Sequence, residues 1–271
     1  MEKPRIASLT KKHEKQLLEF INRDRISHFF SIYDLQHYRG KTRVWLTFLA
    51  DRIVGYLLEY NKKILCLRGP KAYVAPLLRK TRLVEAILNV EARQLPAVKR
   101  FYKPVEPADK MTVGRITTFV VMKVTSSSFR PVVNHEVQEL KNESVAELAG
   151  LLGAGQELAL DLLRGFAFGL YESEKLVSYA ASPEFLEDLA IVRGVFTAPD
   201  KRGKGYSKVV CSALVSKLLG EGKEVMLYVS KDNAAALSVY RSLGFRETGH
   251  RFLGFTARRK DQEKKRGLFS F

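Results

Sequence analysis

The spacing of hydrophobic positions along the first half of the chain predicts a helix and a second apolar cluster, followed by a region rich in strands. A helical periodicity starts after Ser8-Leu9-Thr10, and the apolar cluster covers residues 26–38. The elements predicted next are three strands, one helix and one long β-branched strand, at 44–50, 53–60, 64–67, 75–90 and 113–124. Three serines at 126–128 and the following Pro131 then predict a boundary.

The second half of the chain repeats this order of elements. The predicted elements are a strand, two helices, a hairpin, a central strand, a further strand and a helix, at 135–140, 144–152, 156–163, 166–182, 190–197, 225–229 and from 234 onward. Residues 48–56 also resemble residues 170–179 if one extra turn residue is allowed. Two copies of one α/β unit account for both observations, and unrelated halves that share only a hairpin pattern are the alternative. The sequence therefore predicts an α/β fold with domains at 1–130 and 131–271.

A basic, glycine-rich loop follows the predicted central strand. The residues from Val195 onward read V-F-T-A-P-D-K-R-G-K-G-Y-S, and an apolar helical pattern begins directly afterwards. Glycines let a loop turn its N–H groups inward, and a helix start adds unpaired N–H donors and a positive dipole end. A strand, such a loop and a helix start in this order predict a phosphate site. Taken alone, the loop suits a nucleoside triphosphate as well as coenzyme A, although the GK[ST] ending of a P-loop is missing.

Charge and composition narrow the class of protein. The formal net charge is +17 at pH 7, which favours anionic partners such as phosphate-bearing cofactors, acidic substrates or nucleic acid. Because the charges are spread along the chain, a basic solvated surface is the competing explanation. No apolar run approaches the roughly 18–20 residues of a membrane span, and the first residues lack the apolar core of a signal peptide. We therefore expect a cytoplasmic protein with no membrane segment.

The cysteines and histidines give no sign of a metal site. Cys66 and Cys211 both lie in apolar patterns and are interpreted as buried thiols rather than a disulfide or a metal-binding pair. The histidines lack the spacing of metal ligands, so the sequence assigns no metal.

Two motifs together resemble the GNAT superfamily of N-acyltransferases. The first reads V-x-T-x-P-x-x-R-G-K-G from Val195, and the second reads N-A-A-A-L-S-V-Y-R-S-L-G-F from Asn233. The resemblance is specific over residues 177–255 and only suggestive over 1–130. Within the superfamily, the start of the first motif, Gly194-Val195-x-Thr197, resembles glycine N-acyltransferase-like members most. It implies two tandem GNAT-like units with a mixed, mostly antiparallel sheet flanked by helices. The unit at 1–130 would be degenerate, and the unit at 131–271 would be the N-acetyltransferase domain.

The resemblance also implies which residues bind acetyl-CoA, the acyl donor. Val195 and Thr197 would lend main-chain groups to the pantetheine arm, the amides of 203–208 would cradle the pyrophosphate, and Asn233 would contact the arm or the loop. The full set of implied acyl-CoA-binding residues is Val195, Phe196, Thr197, Arg202, Gly203, Lys204, Gly205, Tyr206, Ser207, Lys208 and Asn233. Ser207 stands where the motif usually has glycine or alanine, and its small side chain should not impair binding.

Tyr240 is the catalytic residue that the resemblance implies. Acyl transfer expels a CoA thiolate, and a phenol can supply a proton or hydrogen bond to it. A core aromatic residue on an apolar helix face is the competing interpretation. The glutamate that many members carry five residues before the asparagine is Tyr228 in this chain, so the general base is left open.

Several charged residues are alternatives for the remaining roles. Glu184, Glu187 and Asp188 precede the central strand and are possible bases, as is a water relay; each carboxylate is otherwise a solvated loop charge. Arg193 interrupts the apolar strand, where it would either face the acceptor site or form a salt bridge.

We therefore expect an acyl-CoA-dependent N-acyltransferase. It would move an acetyl group to a primary amine of a small molecule or protein by direct attack in a ternary complex. The alternatives are a non-catalytic CoA-binding module and a basic protein associated with RNA or the ribosome.

Overall fold

The structure is a computed structural model that describes residues 3–107, 114–133 and 136–260. The chain divides into two compact units. Unit 2 is made of residues 120–249, and unit 1 contains the residues before 120 together with those from 250 onward. This division differs from the predicted domains in placing the residues from 250 onward in unit 1, because residues 253–258 pair with a strand of that unit. As functional domains, 1–130 and 131–271 stay a prediction.

Unit 1 contains the predicted first helix and the three predicted strands at 44–50, 53–60 and 64–67, together with elements that the sequence did not predict. Its elements are β1 (Arg5–Ser8), α1 (Lys11–Ile21), α2 (Arg25–His37), β2 (Thr42–Leu49), β3 (Arg52–Tyr60), β4 (Ile64–Arg68), α3 (Lys71–Val74), β5 (Glu85–Val90), α4 (Leu95–Phe101) and β6 (Tyr102–Pro104). A 3-10 helix at Ala75–Arg79 continues α3.

Unit 2 contains the second set of elements. These are β7 (Thr117–Val124), β8 (Val137–Glu139), α5 (Val145–Leu152), α6 (Gln156–Leu162), β9 (Phe166–Glu172), β10 (Lys175–Ser182), β11 (Glu184–Phe185), β12 (Leu189–Val192), β13 (Val195–Thr197), α7 (Tyr206–Gly220), β14 (Glu224–Ser230) and α8 (Ala234–Ser242). Two strands belong to both units: β7 begins in unit 1 and continues into unit 2, and the last strand, β15 (Arg246–Arg259), begins in unit 2 and continues into unit 1. Parts of two predicted strands, at 113 and 135, lie outside the described residues.

The sheet of unit 1 is mixed. Its strands follow the order β1-β2-β3-β4-β5-β15, with β6 also paired to β15. Only the β4–β5 pair is parallel among these strands as described. Leucines of β3, β4 and β5 and Phe255 of β15 form the core of the unit with the buried side of α3 and α4.

The predicted helix at 75–90 is wrong beyond Arg79. Residues 85–90 form β5, in which Ala86, Leu88 and Val90 are buried and alternate with more exposed neighbours. A short apolar run fits a helix and a strand about equally well, and in this run the period of two is the one that matches the burial. Pairing with β4 and β15, both distant in sequence, decides the outcome.

Unit 2 contains two groups of paired strands. One follows the order β7-β14-β12-β11, and the other β13-β10-β9-β8. Helix α7 packs on this framework through Val210, Leu214 and Leu218. The predicted hairpin at 166–182 is confirmed as β9 and β10. The predicted central strand at 190–197 is instead two strands, β12 and β13, that belong to different groups. The prediction of an α/β fold with mostly antiparallel pairing is confirmed.

Candidate functional site

The break between β12 and β13 is centred on Gly194. Its φ is +85°, and a Cβ built on it would lie 3.0 Å from both a Leu162 methyl and the Tyr179 hydroxyl. A side chain would therefore be both strained and crowded at this position. Parallel pairing of β12 with β14 ends at Val192 and Leu227, whereas β14 continues to Ser230. The chain leaves β14 at Gly194 and pairs with β10 instead, so the two strands part.

Strand β13 directs backbone groups toward this opening. The amides of Ala181 and Ala198 donate to the carbonyls of Gly194 and Val177, at 3.0 and 2.9 Å. Alternation along an antiparallel ladder then turns the N–H and C=O groups of Val195 and Thr197 away from β10. An extended ligand can add to such an edge as an extra strand.

The glycine loop leads from β13 into the open start of α7. Gly203 and Gly205 have φ of +82° and +80°, and no atom of the described residues lies within 4 Å of a Cβ built on either. Gly205 is the N-cap of α7, and none of the side chains that the structure describes caps this helix. The first amides of α7 are therefore left without a capping side chain at the positive end of the helix dipole. Among them, the amide of Lys208 donates to the Gly205 carbonyl at 3.0 Å.

Arg202 is tied to the strand rather than extended from the loop. Its Nε donates to the Thr197 carbonyl at 3.2 Å, and its guanidinium lies 5.8 Å from the centre of the Phe196 ring. The hydroxyls of Ser178 and Thr197 are 2.7 Å apart. These contacts fix the junction of β13 and the loop.

Glu172, at the end of β9, is a loop partner that sequence reasoning missed. Its carboxylate pairs with Lys201 and with Lys204, the latter at 3.2 Å, and accepts a hydrogen bond from the Tyr206 hydroxyl at 2.8 Å. The hydrogen bond from Lys201, followed by those from Tyr206 and Lys204, lowers the pKa of Glu172 to about 2. The sequence marks this residue only as part of a turn, because the pairing is non-local.

Helix α8 carries the predicted Asn233 and Tyr240. Asn233 caps the helix, with its Oδ1 accepting from the Ala236 amide at 3.1 Å. Tyr240 is 9% exposed and packs 5.7 Å from the Phe245 ring. Burial, reinforced by Cys211, raises the pKa of Tyr240 far above its ordinary value. Tyr240 is therefore a core aromatic residue that also keeps its phenolic proton at neutral pH.

A cluster of charged side chains lies beside the break at Gly194. Arg193 contacts the carboxylates of Asp161 and Glu184 at 2.5 and 3.0 Å, and Arg164 lies 3.3 Å from Asp161. Burial raises the pKa of Glu184 to about 7, with Arg193 opposing the shift and Asp161 adding to it. The salt-bridge interpretation of Arg193 is confirmed. Glu187 and Asp188, the other possible bases, are exposed.

Both cysteines are buried and free, as predicted, and burial raises the pKa of the Cys66 and Cys211 thiols to about 11 and 12. Within the described parts of the chain, no three histidine, cysteine, aspartate or glutamate side chains are placed to share a metal ion. No helix of residues 3–107, 114–133 or 136–260 has the length and apolar character needed to cross a membrane.

Comparisons with known proteins bear on this geometry. The family model FR47-like protein matches residues 167–253. Mycothiol acetyltransferase of Mycolicibacterium smegmatis is 29% identical over 252 residues, which cover 76% of this chain and 81% of the relative.

Solved structures show the same fold. A GCN5-related N-acetyltransferase from Sphaerobacter thermophilus superposes with a TM-score of 0.60 at 14% identity, covering 94% of this chain and 95% of that one. A tandem GNAT protein from the clavulanic acid biosynthesis pathway gives a TM-score of 0.58 at 13% identity, covering 95% of this chain and 98% of that one.

The fold and these matches support a GNAT N-acyltransferase: the FR47-like model matches within unit 2, and the relative of similar sequence is an acetyltransferase. The fold over nearly the whole chain is that of a tandem GNAT protein. The predicted resemblance to glycine N-acyltransferase-like members is not confirmed. The individual binding and catalytic residues stay predictions.

Proposed function

We propose that the chain transfers an acetyl group from acetyl-CoA to a primary amine, with both substrates bound at once in unit 2. One observation carries the proposal. The outward edge of β13 is continuous with a glycine loop and an uncapped helix start, and within the described parts of the chain no atom lies within 4 Å of where Cβ atoms on Gly203 and Gly205 would be. An extended pantetheine arm matches the strand edge, and a pyrophosphate matches the loop amides.

Direct attack of the amine on the thioester carbonyl fits the residues at this site. A new C–N bond forms, the C–S bond breaks, and the amine loses one proton while the thiolate gains one. Outward N–H groups of β13 polarise the carbonyl oxygen as it takes up negative charge. Tyr240, which burial keeps protonated, donates a hydrogen bond to the departing sulfur. Cys211 is buried with a raised pKa, so we assign it no nucleophilic role.

Glu184 is our candidate for the group that removes the amine proton. Of the three carboxylates considered from the sequence, it is the one that is largely buried, and it contacts Arg193, which adjoins Gly194. A carboxylate with a pKa of about 7 is half-ionised at neutral pH and can accept a proton efficiently. A water molecule can relay the proton where the amine is out of direct reach.

The acceptor is tested by a screen that follows thiol release. Acetyl-CoA and longer acyl-CoAs are offered with small primary amines and with a lysine-containing peptide. The named relative is a mycothiol acetyltransferase, so small-molecule amines take priority in the screen. Failure of the chain to bind any acyl-CoA would overturn the proposal, and binding without turnover of any acceptor would favour the non-catalytic module. The cytoplasmic location stays a prediction.

Tyr240→Phe is the sharpest single substitution. It keeps the ring in the core and removes only the proton donor, so we expect the transfer rate to fall about 100-fold or more. The dissociation constant for acetyl-CoA should not change. Tyr171→Phe is the matched control, because that hydroxyl donates to Glu147 of α5 at 2.5 Å. Equal rates for Tyr240→Phe and wild type would remove Tyr240 from the mechanism.

A further inference from the structure

A pocket of about 370 Å³ lies on unit 1, between α3 with its 3-10 extension and α4. Three cationic side chains line it, those of Lys71, Arg79 and Arg100. Lys71 and Ala75 of the first helical segment and Arg79 at its end all line the pocket. Ala97, Arg100 and Phe101 provide the corresponding face of α4.

The three cations lack a counter-charge among the residues that the structure describes. Across residues 3–107, 114–133 and 136–260, no carboxylate pairs with Lys71, Arg79 or Arg100. The two acidic residues of the segment 71–103 are both engaged elsewhere, Glu85 with Arg258 at 2.9 Å and Glu91 with Arg93 at 2.5 Å. Eight basic residues share this segment with those two acids. The loop of unit 2 differs in this respect, because its lysines have Glu172.

The walls of the pocket are held in place from both ends. At one end, buried Gln94 donates to the Gly69 carbonyl at 2.8 Å and completes a capping box with Glu91. At the other end, buried Arg259 donates to the carbonyls of Leu78 and Thr81 at 3.1 and 2.8 Å. The two segments therefore keep their spacing without a ligand, which reduces the ordering cost of binding.

Charge, size and shape favour one chemistry. Guanidinium groups bind phosphate oxygens through paired hydrogen bonds, and a lysine adds a third positive charge. The volume lies near the lower end of the roughly 300–1,000 Å³ range of small-molecule sites. Alanines and Phe101 leave an apolar surface for the uncharged part of a ligand. We propose that this pocket binds a small phosphorylated molecule that carries at least two negative charges.

The proposal is tested by calorimetric titration of the full chain at low salt with ADP, inorganic pyrophosphate and inorganic phosphate. The double variant Arg79→Gln/Arg100→Gln is compared with Lys80→Gln/Lys99→Gln. The control removes the same charge from the adjacent, exposed positions, which do not line the pocket. We expect the first variant to weaken ADP binding about tenfold or more at one site, and the control to bind like wild type. Any binding at the unit 2 loop is common to both variants and cancels from the comparison.

A second variant separates the cavity from its charge. Ala72→Phe places a ring in the pocket mouth from an exposed position, so it should cause the same loss of ADP binding with no change in net charge. Circular dichroism and thermal melting check that each variant folds. Equal binding by both double variants, or no binding of any of the three probes at millimolar concentration, overturns the proposal. Binding of a single-stranded RNA that both double variants weaken equally indicates a diffuse basic surface and overturns it too.

Discussion

Each unit contains a strand that leads through glycine into a helix, but the two glycine positions serve opposite purposes. In unit 1, Gly69 has a φ of +117°, and a Cβ on it would lie 2.5 Å from the Val54 carbonyl oxygen and 2.7 Å from the Gly55 Cα. In unit 2, a Cβ on Gly203 would have no neighbour within 4 Å among residues 3–107, 114–133 and 136–260. Glycine lets backbone pack against backbone in one unit, and it leaves space for a ligand in the other.

The strands beside these glycines differ in the same sense. In unit 2, β13 leaves β14 and an opening results. In unit 1, the buried side chain of Arg68 joins β4 to β5, donating to the Asn89 carbonyl at 3.0 Å and to the Asn89 amide oxygen at 2.7 Å. In unit 1, the Arg68 side chain therefore bridges two neighbouring strands, whereas in unit 2 the corresponding strands separate. The comparison teaches that a glycine after a strand indicates a phosphate site only if the space around it is empty.

Gly69→Ala should produce the largest effect on stability. A Cβ cannot fit against the Val54 carbonyl, so we expect a loss of about 3–5 kcal/mol in the free energy of unfolding. Gly203→Ala should cost only about 1 kcal/mol, the conformational penalty alone. Urea unfolding followed by far-UV circular dichroism reports on both units, and the fluorescence of Trp45, the single tryptophan, which lies in β2 of unit 1, identifies the transition of that unit. Similar losses for both variants would contradict the contrast drawn between the two glycines.

Arg68→Met should follow in size. The substitution keeps an apolar chain in the gap but leaves the Asn89 oxygens without their donors, so we expect a loss of about 2–3 kcal/mol. The same fluorescence transition measures it, with the exposed Arg52→Met as control. The acetyl-transfer rate per folded molecule should stay at the wild-type value. A reduced rate in the folded variant would show that unit 1 is not catalytically passive.

The third prediction concerns the pH dependence of the reaction. Glu184 must be ionised to accept a proton, so the rate should rise as pH increases through about 7. Glu184→Gln should abolish that inflection and lower the rate at pH 8 about 10- to 100-fold. Glu187→Gln, an exposed carboxylate in the adjoining turn, is the control. An unchanged profile in Glu184→Gln would assign the base to another group or to water.

Stability should respond to pH in the opposite direction at this residue. Burial raises the pKa of Glu184 from 4.5 to about 7, so the folded protein binds this proton more tightly than the unfolded chain does. The contribution of Glu184 to stability should therefore fall as pH rises between about 4.5 and 7. A rate that rises with pH across that window cannot be explained by better folding through this group.

The smallest expected effect is at Glu172. Glu172→Gln frees Lys201 and Lys204 and removes a negative charge beside the proposed pyrophosphate position. We expect acetyl-CoA binding to tighten about two- to fivefold at low salt and this gain to fade at high salt. Glu174→Gln, in the same turn, removes an equal charge without releasing the lysines. If the two variants behave alike, Glu172 acts only through net charge.

The sequence predicted those elements whose signal is local. The hairpin at 166–182, the glycine loop and the helix from 234 were correct, because turn residues and periodicity lie within each segment. The interpretation of 75–90 as one helix failed, because partners distant in the chain select the strand.

The candidate site shows the same limit. The loop residues and Tyr240 were named from their motifs, whereas Glu172 was missed and Glu184 could not be separated from Glu187 and Asp188. Their importance depends on which elements pack together: Glu172 reaches the loop from another strand, and Glu184 meets Arg193 across the β11–β12 junction. The spacing of residues along the chain does not indicate which side chains from different elements will pair.

Strand β15 has a consequence for the order in which the protein matures. Residues 253–258 cover the free edge of β5, although synthesis places them some 160 residues later. During translation, this edge of the N-terminal sheet therefore stays exposed until all of unit 2 has emerged from the ribosome. An uncovered edge is a template for pairing with other chains. A fragment cut near residue 130 would keep this edge permanently, so aggregation is the expected fate of the N-terminal half made alone.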